Sequence, residues 1–442
     1  MSHLGTLLLV SGDNRGGQTL GARLSEGGFD VTQVADGAKA LEKLKTEHPD
    51  IILAMSSLSD MSGIDLAKRI KEMEATADIP VALLCDHFSA ELSQQALDTR
   101  IDDLVVQPVD PGVLAARLKP LLRLSTMHTE LSRRAQVASR FGVEAAGKVD
   151  LAVDDANQLI LLVSNDKKAA DSYAATLAPA NLIITDNLIE AEDLLTQKNF
   201  DAAILDVSDS AAEHLSLCSQ IRNNSRLFNL PVLLIAAPGT FPDPVEPYRR
   251  GASRVLVRPS DPHLLVTALQ AMVRRQRLRW RIREALLKTM CKQTGDDRTA
   301  AYSRDFMMSL LTERLEHARS GGRHLSVVFL NIPNIGAVVH QFGKEAGEQL
   351  LAQLGNWIMG LLRAEDLTAR SNDSEFCLVL PDTPIEEAEI VMHRIASVLT
   401  YTDFAVPDVY QPVKVWVEVG SALAREDDTV ETLLARAHTR LG

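Results

Sequence analysis

One set of landmarks is written twice along this chain of 442 residues. HPDIILAM (48 to 55) returns as NFDAAILD (199 to 206), IPVALLC from Ile79 as LPVLLIA from Leu230, and VVQPVDP from Val105 as LVRPSDP from Leu256, each after 151 residues. An apolar run closed by polar residues precedes each set, LLLVSGDN ending at Asn14 and LILLVSNDK ending at Lys167. Ordered matches at one interval mean that a single folding unit is used twice. Within each copy, short Ile/Leu/Val runs alternate with amphipathic stretches such as AKALEKLK (38 to 45) and IDLAKRIKEME (64 to 74). That is the pattern of a parallel sheet wound by helices, and strands apolar along their whole length are buried on both faces. The expected fold class is α/β, each copy a flavodoxin-like parallel sheet of strand order 2-1-3-4-5. In such sheets the working residues sit at the carboxyl ends of the strands.

Composition narrows what such a chain does. Hydrophobic residues at 46% and charged residues at 24% are ordinary for a folded, water-soluble protein of about three domains. Aromatic residues are only 4%, too few for extensive base stacking, and the net charge of −13 repels polyanions at large, so no nucleic-acid partner is expected. Cys85, Cys218, Cys291 and Cys377 form no CxxC pair, which leaves no zinc or redox motif and fits buried thiols in a reducing cytoplasm. The N-terminal MSHLGTLLLVSGDN has no basic segment ahead of an apolar run of strand length, so neither a signal peptide nor a membrane span is expected.

The landmarks themselves carry a resemblance. An apolar strand closed by an acidic pair, then xPDIILxD, IPVxxLT and a KP dipeptide before a helix, is the layout of receiver domains of two-component systems, and both copies are similar to it. The resemblance implies an Asp nucleophile, an acidic pair for Mg²⁺, a Ser or Thr, and a Lys that balances phosphoryl charge. In the first copy those positions read Met55, Ser11 and Gly12, Cys85 and Gln107. In the second they read Asp206, Ser164 and Asn165, Ala236 and Arg258. A thioether cannot accept a phosphoryl group, so Asp206 is the one candidate phosphoacceptor. Asp13 and Asp166, one residue beyond the acidic pair, are the alternative Mg²⁺ ligands. Otherwise both copies read as interaction modules.

The stretch from 263 to 290 lacks Gly and Pro and has apolar residues at helical spacing, which predicts a helix of about 28 residues, roughly 42 Å long, projecting as a stalk. Its Arg274, Arg275, Arg277, Arg279, Arg281 and Arg283 are expected on a solvated face or in salt bridges. A similar helical stretch, LLRLSTMHTELSRRAQVASRF, follows the first copy.

From about residue 295 the pattern changes to strands, helix pairs and antiparallel-looking runs such as LSVVFLNI, CLVLPD and VKVWVEVGSA. Here LNIPNIGAVVHQFGKEAGEQLL (330 to 351) and DLTARSNDSEFCLVLPDT (366 to 383) resemble the signature stretches of the GGDEF family, anchored by Gly343, Gly347, Arg370, Glu375, Phe376 and Leu380-Pro381-Asp382. That family condenses two GTP molecules with Mg²⁺ held by carboxylates, a guanine-reading Asn and a glycine hairpin. The metal Asp corresponds to Asn331, the next acid of that strand to Pro333 and the guanine-reading Asn to Val339. A second guanine contact corresponds to Glu348, the hairpin glycines to Asn372 and Asp373, and the catalytic acid to Ser374, which leaves Glu375 as the surviving ligand. No catalytic residue and no metal are therefore assigned.

Ahead of the hairpin, Arg363-Ala364-Glu365-Asp366 matches the family's RxxD inhibitory-site motif, and the further arginine of that site falls on Arg394 in EEAEIVMHRIASVL. The resemblance implies binding of cyclic di-GMP at Arg363, Asp366 and Arg394. Arg100/Asp103, Arg370/Asp373 and Arg425/Asp428 share the spacing and are expected as surface charges.

These observations divide the chain into a degenerate receiver with an extended last helix (1–140), a linker (141–157), a second degenerate receiver (158–278), a helical stalk (279–294) and a degenerate α+β, nucleotidyl-cyclase-like GGDEF domain (295–442). The order resembles the PleD group, and an intact RxxD beside lost catalysis is similar to the non-catalytic effectors and cell-cycle adaptors within it. That resemblance implies a cytoplasmic, homodimeric, non-catalytic receptor for cyclic di-GMP in cell-cycle signalling. It further implies a protein stationed at a cell pole that delivers a regulator to the ClpXP protease through an RcdA-type adaptor. Two rival readings stand beside it, a phosphorelay response regulator acting through Asp206 and a weak diguanylate cyclase.

Overall fold

The computed structural model describes residues 3–12, 15–152, 157–207, 210–224, 226–406 and 409–441, without the Arg15 side chain. The residues pack into two compact units, one of Gly5–Ser125 and Asp150–Trp280, the other of Met1–Leu4, Thr126–Val149 and Arg281–Gly442. Among the described residues no helix is long and apolar enough to cross a membrane.

The first unit contains both copies of the repeat. Strands β1 (Gly5–Val10), β2 (Phe29–Val34), β3 (Ile51–Met55), β4 (Val81–Cys85) and β5 (Asp103–Val106) form a parallel sheet in the order β2-β1-β3-β4-β5. Strands β6 (Leu159–Val163), β7 (Asn181–Thr185), β8 (Ala202–Val207), β9 (Val232–Ala236) and β10 (Arg254–Val257) repeat it as β7-β6-β8-β9-β10. The expected 2-1-3-4-5 order is present twice. Every residue of β4, β8 and β9 is buried, because helices cover both faces of each sheet. The pleat sorts Leu161, Leu205 and Leu234 into one core of the second copy and Ile160, Leu162, Ile204 and Leu233 into the other.

Equivalent positions of the two copies meet inside this unit. Asp103 and Arg254 open the last strand of their respective sheets, one repeat interval apart, and Arg254 Nη1 donates to Asp103 Oδ1 at 2.7 Å. Arg117 grips the same carboxylate through Nε at 2.9 Å and Nη2 at 2.6 Å. The two guanidinium groups hold the Asp103 pKa down at about 2 even though burial opposes them. Nearby, Ser93 Oγ donates to the His263 carbonyl at 3.1 Å and bonds Thr267.

In the second unit, β11 (Leu325–Asn331), β12 (Leu367–Arg370), β13 (Glu375–Pro381) and β14 (Glu418–Leu423) form an antiparallel sheet in the order β12-β13-β11-β14. Alternation along β11 and β13 again makes two cores. Val328, Leu330, Phe376 and Leu378 face Leu350, Leu354 and Ile395, while Val327, Phe329, Cys377 and Val379 face Phe306, Leu310 and Leu433. Val137 and Ala138, near the end of the helix Pro111–Arg140, complete this second core. The last helix of the first receiver is thus part of the C-terminal unit's interior from Thr126 onward.

The helix expected over 263 to 290 spans Pro262–Lys288. Its arginines are more deeply engaged than a solvated face would be. Arg275 is 7% exposed, Arg274 Nη2 donates to the Ile101 carbonyl at 2.7 Å, and Arg277 Nε reaches Asp201 Oδ1 at 2.8 Å.

Candidate functional site

The helix Lys344–Leu361 stops as the backbone becomes extended at Leu362, and Arg363 to Asp366 then turn the chain into β12. The turn closes on itself. The Arg363 backbone N–H donates to Asp366 Oδ2 at 2.9 Å, and the Asp366 N–H donates to the Arg363 carbonyl at 3.2 Å. This locks the Asp366 carboxylate, which is 8% exposed, while the Arg363 side chain stays 32% exposed with Nη2 3.5 Å from Glu387 Oε2. Arg394 is exposed on the helix Ile385–Tyr401, which also carries Glu387, and its Nη2 donates to the Leu361 carbonyl at 2.8 Å.

The three candidate residues feel one another's charge. Burial works against the Arg363 cation, but Asp366, Glu365 and Glu387 outweigh it and raise its pKa. Partial burial lowers Arg394, as does the nearby Arg363, while Asp366 opposes both. Two guanidinium groups and a carboxylate are therefore gathered on one patch. A guanidinium fork suits the acceptor edge of a guanine or a phosphate, and a carboxylate can accept from a guanine N–H edge.

Behind this turn stands a residue that the sequence reading did not single out. Arg134 Nη2 donates to the carbonyls of Glu365 and Asp366 at 2.7 and 2.8 Å, and its Nε donates to Glu130 Oε1 at 2.6 Å. The other Glu130 oxygen pairs with Arg314. All three are nearly inaccessible, Arg134 at 3%, Glu130 at 1% and Arg314 at 4%. Burial pushes Arg314 down to about 10 against the pull of nearby carboxylates. The Arg134 guanidinium also lies 5.6 Å from the centre of the Tyr302 ring. A planar fork that bridges two successive carbonyls is a task lysine cannot perform equally. The available sequence signal was only an i,i+4 Glu/Arg pair, which usually marks a solvated helix face.

The hairpin joining β12 and β13 carries a hydrogen-bonded net of amide, hydroxyl and carboxylate groups. Asn331 Nδ2 donates to Glu418 Oε2 at 2.8 Å, and its Oδ1 accepts from Ser374 Oγ at 2.9 Å. The Ser374 N–H donates to Asn372 Oδ1 at 2.9 Å. Glu375 is 3% exposed and lies 2.9 Å from His438 Nε2. Gly347 faces Val339, so closely that a Cβ there would come within 2.4 Å of Val339 Cγ2. The valine, at the position corresponding to the guanine-reading Asn, thus packs on Gly347 and offers no hydrogen-bonding group. A cavity of 450 Å³ adjoins the hairpin, lined in part by Phe329, Asn372, Glu375 and His438. Mg²⁺ prefers carboxylate oxygens, and the set of Asn331, Ser374 and a Glu375 already facing His438 does not fit a two-metal centre. Among the described residues no group of three or more His, Cys, Asp or Glu is placed to hold a metal.

At the carboxyl end of the second copy's sheet, Asp206 is 1% exposed and both its oxygens are engaged. Arg258 Nη2 lies 2.7 Å from Oδ1, and Ser164 Oγ donates to Oδ2 at 2.8 Å. A cavity of 610 Å³ opens beside it, lined in part by Ser164, Asp206, Ser210 and His214. Asp166, an alternative Mg²⁺ ligand on sequence, instead caps the helix Lys167–Leu177, its Oδ1 accepting from the N–H groups of Lys168 and Ala169. Asp13 lies outside the described residues. In the first receiver, Ser11 Oγ accepts from Gln33 Nε2 at 3.0 Å, and burial raises the Cys85 thiol.

The other RxxD matches correct one expectation by half: Arg100, Asp373 and Arg425 are exposed as expected, but their partners are not. Asp103, Arg370 and Asp428 are not surface charges but are 7%, 7% and 5% exposed. Each is drawn inside by a partner of opposite sign: Arg117 and Arg254 for Asp103, Asp296 for Arg370, and Arg436 for Asp428.

Comparison with known proteins adds the following. The model of the family described as diguanylate cyclase, GGDEF domain, matches residues 294–442, and that of the response regulator receiver domain matches residues 8–119. The response regulator PleD of Caulobacter vibrioides is 26% identical over 432 residues, covering 98% of this chain and 95% of PleD. The phosphate regulon transcriptional regulatory protein PhoB of Pseudomonas aeruginosa is 31% identical over 118 residues, 27% of this chain and 52% of PhoB. Among solved structures, the GGDEF domain of DgcB from Caulobacter crescentus in complex with c-di-GMP is 17% identical with a TM-score of 0.33, covering 34% of this chain and 85% of that one. The chain carries a receiver domain and a GGDEF domain, and it is similar to PleD over nearly its whole length.

Proposed function

We propose that this protein is a non-catalytic receptor for cyclic di-GMP that holds the dinucleotide at Arg363, Asp366 and Arg394 and signals through protein contacts. One asymmetry carries the reading: the RxxD turn is complete and braced by the buried Arg134, while the catalytic positions hold Asn331, Pro333, Val339 and Ser374. Groups that act as a catalytic unit fail together, so one surviving Glu375 supports little turnover. Arg363 and Arg394 present donors to guanine or phosphate oxygens, and Asp366 accepts from a guanine N–H edge.

The adaptor role extends this reading by resemblance alone. In it the protein works as a homodimer at a cell pole and passes a regulator to ClpXP through an RcdA-type adaptor, with the bound dinucleotide biasing one domain arrangement over another. Phosphoacceptance at Asp206 is disfavoured by its engagement with Arg258 and Ser164.

The purified full chain incubated with GTP and Mg²⁺ should yield no cyclic di-GMP, and equilibrium dialysis with the labelled dinucleotide should show binding that Asp366→Ala and Arg394→Ala each weaken. Product formation would restore the cyclase reading. Binding untouched in both variants would move the ligand away from this turn.

A further inference from the structure

The receiver-pair unit contains a second concentration of positive charge, independent of the RxxD turn. Between the two copies lies a cavity of 600 Å³, and its lining includes Lys119, Arg123, Arg222, Arg249, Arg275 and Arg279 but no Asp or Glu. Six cations without a lining carboxylate are unexpected in a chain of net charge −13. Like charges gathered around one space repel. Arg249 is answered by Asp243 from outside the lining and Arg279 donates to the Pro120 carbonyl, so Arg222 and Arg275 are the cations whose geometry bears on a ligand.

The individual partners sharpen this. Arg222 donates to the carbonyls of Phe228 and Leu230 at 3.0 and 2.7 Å, which fixes its direction without cancelling its charge. Burial, with Arg123 nearby, lowers its pKa to about 10. Arg275 is 7% exposed, and its Nε is buried without an acceptor among the described residues. The Asp103 carboxylate, bonded by Arg117 and Arg254, and Asp102 favour the Arg275 cation from a distance without giving its Nε an acceptor. A guanidinium nine-tenths buried with an unanswered donor is costly unless an anion meets it. At the other extreme Lys119 is exposed. Pro120, Phe228, Pro231 and Tyr248 supply apolar wall between these ends. A volume of several hundred Å³ with apolar walls and a few convergent charged donors is the form of a small-molecule site. Guanidinium forks in particular match phosphate oxygens.

We propose that the cavity between the two receivers binds a phosphate-bearing small molecule of nucleotide size, its phosphates held by Arg275 and Arg222 and its entry guarded by Lys119. The site shares no residue with Arg363, Asp366 and Arg394, so it stands whether or not that turn binds cyclic di-GMP.

The test uses the full chain at low ionic strength, with inorganic pyrophosphate and ATP as separate probes in titration calorimetry. Wild-type protein should bind both probes. Lys119→Glu, an exposed change that leaves the core untouched, and Arg275→Gln should each weaken binding about ten-fold or more. Arg363→Ala should leave it unchanged. The proposal is overturned if wild type binds neither probe at millimolar concentration, if Lys119→Glu and Arg275→Gln both bind like wild type, or if Arg363→Ala abolishes binding. Should Arg275→Gln fail to fold, Lys119→Glu decides alone.

Discussion

Replacing Arg134 by methionine keeps the aliphatic stem of a buried side chain and deletes its fork. Three hydrogen bonds are lost, two to the Glu365 and Asp366 carbonyls and one to Glu130. Glu130 keeps Arg314, so the buried acid is not abandoned. The carbonyls lose a charged donor in a site shut off from water, where each such bond contributes about 1.5–3 kcal/mol. Allowing for relaxation, the net loss is about 3–5 kcal/mol. For a unit of this size that lowers the unfolding midpoint by roughly 10 °C. Scanning calorimetry on the full chain reads it, since the two units need not unfold together and the C-terminal transition is the one that should move. The same substitution should weaken cyclic di-GMP about ten-fold at a temperature where the protein remains folded, because the turn that orients Arg363 and Asp366 loses its brace. Arg134→Lys keeps the charge beside Glu130 but not the fork, and should recover stability better than affinity. A midpoint within about 2 °C of wild type would refute the energetic reasoning. A lowered midpoint with unchanged affinity would refute the link between brace and site.

Three further outcomes follow from the two copies of the repeat. Asp103, held at about 2 by Arg117 and Arg254 against burial, adds stability that is complete above its unfolded pKa near 4 and is lost as pH falls toward 2. The contribution is about 2 kcal/mol, so urea midpoints of wild type at pH 5 and pH 3 should differ by a component absent from Asp103→Asn, and identical pH dependence would contradict the assignment. Gly251→Ala places a side chain at φ +110° with its Cβ 2.4 Å from Arg222 Cγ, and should cost about 1–3 kcal/mol in urea unfolding. Acetyl phosphate with Mg²⁺ should leave the protein unlabelled, and a label that disappears in Asp206→Asn would reverse that expectation.

How far the sequence could be read depended on whether a feature was local. The repeat interval carried both sheets, because strands buried on two faces are written as plain apolar runs such as VALLC and VLLIA. The RxxD turn was legible because four adjacent residues contain it. Other features depend on distant partners. Nothing in SRRAQ marks Arg134 as buried, since its partners Glu365 and Asp366 lie more than two hundred residues away. Asp103 and Arg254 are aligned by the repeat itself, yet their meeting follows from how the copies pack. Asp166 illustrates a local ambiguity, because an acid just after a strand serves equally as a metal ligand or a helix cap, and only the N–H groups of Lys168 and Ala169 decide it.

The central claim is tested most directly by titrating cyclic di-GMP into the full-length wild-type protein and its Arg363→Ala variant in a calorimeter. The account predicts saturable binding by wild type and at least about a ten-fold loss in the variant, the share of one charged, doubly donating group. No binding by wild type, or equal binding by both, would contradict it.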